Sequence, residues 1–115
     1  MLEAILSSAG YRTGLYTSPH LLRYNERVRI AGREIDDAPL AAAFAEVERA
    51  RGDTPLTYFE FGTLAAWVAF ARADTNARVD ALVFEIGLGG RLDAVNAFEP
   101  DCAVLTSVEI GRAHV

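Results

Sequence analysis

"VDALVFEI", residues 79–86, is the stretch on which the fold turns. Six of its eight residues are apolar and they do not alternate with polar ones. A near-continuous apolar run of this length reads as a strand covered on both faces, as in the parallel sheets of α/β proteins. "DCAVLTSV" (residues 101–108) repeats the pattern, and residues 11–17 read as a further short strand holding Leu15 and Tyr16. Two helices fit between these runs. In the first, Asp37 is placed to cap, Pro39 sits in the first turn, and Leu40, Ala43, Phe44 and Val47 form one apolar stripe before Gly52. The second opens on "TYFE" (57–60), a capping box with Thr57 as cap and Glu60 reaching back. Its apolar residues Phe61, Leu64, Trp67, Val68 and Phe70 surround most of the helix, which predicts burial between layers. Residues 26–30 alternate, and "AGREI" (31–35) offers a turn and a return, so a small surface hairpin is expected there. Residues 1–9 read as the later turns of an amphipathic helix stopped at Gly10. Strands alternating with helices of this length predict a doubly wound α/β fold.

At 115 residues a single domain is expected. An apolar fraction of 51% with 23% charged residues fits a globular protein, and a net charge of −5 argues against general nucleic-acid binding. No apolar run reaches the ~18 residues of a membrane span. The N-terminus lacks the charged-then-apolar build of a secretory signal. Cys102 is the only cysteine, so no intramolecular disulfide forms and a reducing cytoplasm is the expected setting. Both ends read as cut: no cap precedes residue 1, and the chain stops shortly after an apolar run.

In open parallel sheets ligands bind beyond the carboxyl ends of the strands. Three candidates fall there: Thr17-Ser18-Pro19-His20, Glu85 with "GLGGRLD" (87–93), and Thr106-Ser107 with Glu109. A carboxylate at the end of an apolar strand needs a cation, a donor or water. Magnesium satisfies Glu85, and so does a pair with Arg91 or a helix N-terminus, the commoner arrangement. Gly87, Gly89 and Gly90 allow a sharp turn or close approach to a ligand, but the spacing is not that of a dinucleotide fingerprint. No G-x-x-x-x-G-K-[ST] phosphate loop occurs in the chain. Ser18 offers a hydroxyl to a metal, a phosphate or merely its own turn. His20 fits a structural hydrogen bond as well as a ligand. Arg23, Arg27 and Arg29 suit either an anionic substrate or a solvated hairpin face.

Three stretches occur together in order: "LYTSPHLLRYNERVRI", "LTYFEFGTLAA" and "EIGLGGRLDAVN". In these the chain resembles the folylpolyglutamate synthase family, most closely its bacterial bifunctional branch, over roughly residues 1–109. The family lies in the Mur ligase superfamily. The resemblance implies a P-loop-NTPase-like, mostly parallel sheet with flanking helices, part of the Mur ligase central domain. It implies an ATP-dependent amide ligase using Mg2+, which phosphorylates a carboxylate of dihydropteroate or folate and transfers it to the α-amine of L-glutamate. Ser18 and Glu85 match metal-binding positions. Residues 19–27, with Pro19, His20 and Arg27, match a loop enclosing the pterin-bearing substrate. Phe59 and Phe61 match a segment near that pocket, beside Glu60. Gly89, Gly90, Arg91, Leu92, Asp93 and Asn96 match the glycine-rich substrate loop, with Asp93 expected to contact the pterin. No residue matches a catalytic position directly. Family members are usually monomeric.

Two departures bear on activity. The family's phosphate loop precedes the helix that begins this chain, and Gly111 and Arg112 stand where the family has an Asp-His pair. Residues 1–110 are thus expected to be part of an N-terminal ATP-binding domain, with residues 111–115 a non-family tail and His114 no substitute ligand. The parent is expected to be the ligase and this chain alone to be inactive. The alternatives are a short, non-catalytic protein binding folates or a partner, and a cell-wall Mur ligase, against which "YNERV" and "GLGGRLD" speak.

Overall fold

A computed structural model describes residues 1–73, 78–87 and 91–107. The elements follow in order: helix α1 (Leu2–Ser8), strand β1 (Thr13–Tyr16), a 3-10 turn (Tyr24–Arg27), β2 (Val28–Ile30), β3 (Arg33–Glu34), α2 (Asp37–Arg51), α3 (Tyr58–Arg72), β4 (Ala81–Phe84) and a second 3-10 turn (Ala94–Ala97). None of the described helices is long and apolar enough to cross a membrane.

The α/β expectation holds. Among the described strands the sheet is mixed, in the order β3-β2-β1-β4. β1 and β4 pair in parallel, with Thr13 opposite Ala81 and Tyr16 opposite Phe84. β1 pairs antiparallel with β2, and β2 with β3, which is the hairpin expected from residues 26–35. One face of β1 meets α1, where the Ser7 and Thr13 hydroxyls lie 3.3 Å apart. The other meets α3. There Gly14 leaves room for Phe70 and Leu82, since a Cβ would come within 2.9 Å of both.

The core lies where α2 and α3 cover the sheet: Tyr16, Val28, Ile35, Leu40, Ala43, Val47, Ala65, Ala66, Ala69 and Phe70 are buried together. Small residues on α3 allow its backbone close to β1 and α2, and Arg72 of α3 pairs with Glu46 of α2. Phe84 contacts Tyr16, Phe70 and Trp67, and Phe98 stacks on Trp67 at 4.4 Å. That stack ties residues 91–98 to α3.

Four local expectations are corrected. Asp36, not Asp37, holds the N-cap position of α2, with no side-chain capping bond, and the Asp37 carboxylate is taken at 2.9 Å by Arg23 and by Asn25. α3 is buried on one side only: Leu64 and Trp67 remain 37% and 42% exposed, and beyond the Phe98 ring stacked on Trp67 no further layer covers them among the described residues. β4 is less fully covered than expected: at the edge of the described sheet, Ala81, Val83 and Phe84 are only partly buried and Leu82 is 40% exposed. The run at residues 101–107 forms no strand, and Val104 and Leu105 are 61% and 80% exposed. Apolarity makes a strand only where a neighbour supplies the ladder, and no described strand pairs with this run.

The capping box of α3 forms as expected. The Glu60 N–H donates to Thr57 Oγ1 at 3.1 Å and the Thr57 N–H to Glu60 Oε1 at 2.9 Å. These bonds hold the Glu60 carboxyl below its usual range, so Glu60 acts as a cap. Thr57→Ala is expected to lower stability by about 1 kcal/mol, read as a lower urea midpoint with an unchanged slope.

Candidate functional site

The carboxyl ends of β1 and β4 lie side by side because the two strands are parallel and in register. The ladder runs one residue further: the Glu85 N–H donates to the Tyr16 carbonyl at 2.9 Å. Thr17 and Glu85 therefore stand abreast, and Thr17 Oγ1 donates to Glu85 Oε2 at 3.0 Å. Glu85 is exposed, so burial places no demand on its carboxylate. Its partner is Thr17, not Arg91, which is exposed. Sequence reading missed this role of Thr17. The signal was its position directly after a strand parallel to the one that Glu85 ends.

Gly87 is where the pieces of the site meet, a role its place in a glycine-rich run did not single out. A Cβ there would lie 2.7 Å from the Phe59 ring and 3.3 Å from Ser18 Oγ. Its N–H donates to Asp93 Oδ2 at 3.1 Å, and Asp93 Oδ1 accepts from the Val95 N–H at 2.9 Å, capping the second 3-10 turn. Ser18, Phe59 and Asp93 are thus brought around one glycine, two residues beyond Glu85. Asn96 lies on the same turn, its N–H bonded to the Asp93 carbonyl, and it is exposed, as is Pro19 after a cis peptide bond. Gly89 and Gly90 lie outside the described residues, as do Glu109 and His114. Phe61 stands apart from this group. It packs on Phe44 and lines an apolar cavity of about 520 Å³ with Tyr24, Tyr58 and Leu56.

The loop between β1 and β2 is closed at its base, where the Thr17 N–H donates to the Arg27 carbonyl at 2.9 Å. Its turn is built on Glu26, whose carboxylate accepts the N–H groups of Leu21, Leu22 and Arg23 at 2.7–2.9 Å. Those backbone donors, Leu21 first, pull the Glu26 carboxyl below its usual range. Buried Asn25 donates to the Ile35 carbonyl at 2.8 Å and so ties the loop to the start of α2. Arg27 donates to His20 Nδ1 at 2.7 Å and lies over the rings of Tyr24 and Tyr58, 5.2 and 5.5 Å from their centroids. His20 and Arg27 therefore form one unit held on tyrosines. Gly62 of α3 admits the Tyr24 hydroxyl, which a Cβ would displace. Burial, with Tyr16 nearby, pushes the Tyr24 phenol well up, so it stays neutral.

Ser18 and Glu85 supply hard oxygen donors, the kind Mg2+ and Mn2+ take. Among the described residues no three His, Cys, Asp or Glu side chains gather into a metal cluster. A cation here would therefore draw most of its coordination from water and phosphate oxygens, which is the habit of Mg2+.

No family model matches the chain. Among curated proteins it is similar to the dihydrofolate synthase/folylpolyglutamate synthase of Escherichia coli K12, 52% identical over 109 residues, covering 95% of this chain and 25% of that protein. Among solved structures it is similar to a bifunctional folylpolyglutamate synthase/dihydrofolate synthase with Mn, AMPPNP and L-glutamate bound. The TM-score is 0.81 at 55% identity, over 87% of this chain and 24% of that one. It is also similar to E. coli FolC in complex with DHPP and ADP, with a TM-score of 0.75 at 55% identity, over 83% and 22%. The chain spans about a quarter of the length of these relatives. The resemblance carried by the motifs thus holds, and the chain is a homologue of one segment of the folylpolyglutamate synthases.

The Glu26 cage gives the loop an acid limit. A carboxyl depressed in the folded state contributes stability above its unfolded value, about 4.3, that is lost as pH falls through the folded value. Amide exchange at Leu21, Leu22 and Arg23 is expected to lose protection in acid before α2 does, and Glu26→Gln to lose it already at pH 7.

Proposed function

We propose that this chain forms the substrate-loop and metal-binding part of an ATP-dependent ligase that joins L-glutamate to dihydropteroate or folate. The observation that carries this reading is that Ser18, Phe59 and Asp93 surround Gly87 just beyond the carboxyl ends of β1 and β4, where Thr17 holds Glu85. Solved relatives are described with AMPPNP, Mn and L-glutamate, and with DHPP and ADP, which supports ATP, a divalent metal such as Mg2+, a pterin and glutamate as ligands.

A carboxylate is a poor electrophile. Transfer of the γ-phosphoryl group of ATP to a substrate carboxylate oxygen gives an acyl phosphate and ADP. The α-amine of glutamate then attacks the acyl carbon, the C–O bond to phosphate breaks, and the amine proton leaves as the amide forms. A bound divalent cation would offset the phosphate charge at this step.

The residues divide the remaining work. Ser18 and Glu85 hold the cation. Asp93 accepts hydrogen bonds from the pterin, and Phe59 offers its ring face beside it. Pro19, His20 and Arg27 wall the substrate from the loop, with the Arg27 charge facing its anionic end. Phe61 shapes the apolar side, and Gly89, Gly90, Arg91 and Asn96 complete the glycine-rich wall. The working protein is a cytoplasmic monomer.

The test is a segment swap. The 109 aligned residues of this chain replace their counterparts in the E. coli synthase. ADP release requiring both dihydropteroate and glutamate is expected from the chimera, and no such release from the isolated chain. A folded chimera that binds ATP but never couples it to glutamate addition contradicts the assignment.

A further inference from the structure

We propose that Thr17 is a positioning residue that aims the Glu85 carboxylate at the metal. This rests on the reading of Glu85 as a metal ligand. Both backbones at this point are pinned: the Glu85 N–H to the Tyr16 carbonyl at 2.9 Å, and the Thr17 N–H to the Arg27 carbonyl at 2.9 Å. The backbones that carry the two side chains are consequently held abreast by these bonds. The Thr17 hydroxyl has one proton, and it gives that proton to Glu85 Oε2 at 3.0 Å. A carboxylate held by one oxygen presents the other in a set direction.

The need for such an anchor follows from exposure. Glu85 is solvent-exposed, with no described arginine or helix N-terminus hydrogen-bonded to its carboxylate. An unanchored glutamate loses rotamer freedom when it binds a cation, and that loss subtracts from affinity. Ligating carboxylates are commonly hydrogen-bonded for this reason. Valine is close to threonine in shape and lacks the donor, whereas serine keeps the donor and lacks the methyl. The pair separates the hydroxyl from the packing.

The experiment is a Mn2+ titration of the full chain followed by electron paramagnetic resonance, which reads free Mn2+ without turnover. Thr17→Val is expected to weaken Mn2+ binding about tenfold or more, with an unchanged melting temperature, and Thr17→Ser to restore it. Wild-type affinity in Thr17→Val, with Glu85→Gln defective, overturns the role of Thr17 and leaves that of Glu85 standing. Equal loss in Thr17→Val and Thr17→Ser also overturns it, because packing and not the hydroxyl is then responsible. Failure of the wild-type chain to bind Mn2+, or unaltered binding by Glu85→Gln, overturns the metal reading of the site and this inference with it.

Discussion

The register of the parallel ladder between β1 and β4 governs everything at its carboxyl end. Tyr16 stands opposite Phe84, and the next pair outward is Thr17 and Glu85. Side chains alternate faces along a strand, so a slip of one residue would send these two to opposite sides of the sheet. The apolar contacts make that slip costly. Tyr16 and Phe84 share the α3 face, where they meet Phe59 and Phe70, while Thr13 lies toward α1. The packing that forms the core is therefore the same packing that aligns the polar ends.

The loop after β1 is held by interactions of a different kind. Its turn depends on one carboxylate, Glu26, taking three backbone N–H groups that would otherwise need water. Asn25 and Arg23 then bind it to the first turn of α2 through Asp37. Tyr24 inserts its hydroxyl at Gly62 and carries Arg27 on its ring face. His20 and Arg27 thus sit in a loop fixed at several points, while Leu21 and Leu22 at its tip stay exposed. A loop held at several points keeps its shape without a ligand, and such preorganisation lowers the ordering cost of any binding it takes part in.

Local pattern made some of this legible and left the rest unreadable. The α3 capping box, the α2 stripe and the hairpin depend on residues within a few positions of one another. They read correctly because short-range chemistry decides them. Asp37 looked like a cap by position alone, and its carboxylate went to Arg23 and Asn25, 14 and 12 residues away. The partner of Glu85 lies 68 residues away and could not be chosen from sequence over the neighbouring Arg91. The run at residues 101–107 has the composition of a strand without a described strand to pair with, and pairing is not a property of the segment itself. Of the candidate site, the motifs named Ser18, Glu85 and Asp93. That Ser18 and Asp93 meet at Gly87, and that Thr17 meets Glu85, required the register of two distant strands.

The central claim is that two strand ends and the Asp93 turn make one cation-bearing site. Paramagnetic broadening of backbone amides by substoichiometric Mn2+ tests it most directly. Broadening concentrated at residues 17–19, 85–87 and 93–95, with the hairpin turn at Ala31 and Gly32 and the last turn of α2 unaffected, is the predicted result. Broadening centred elsewhere, or on only one of these three segments, would contradict it.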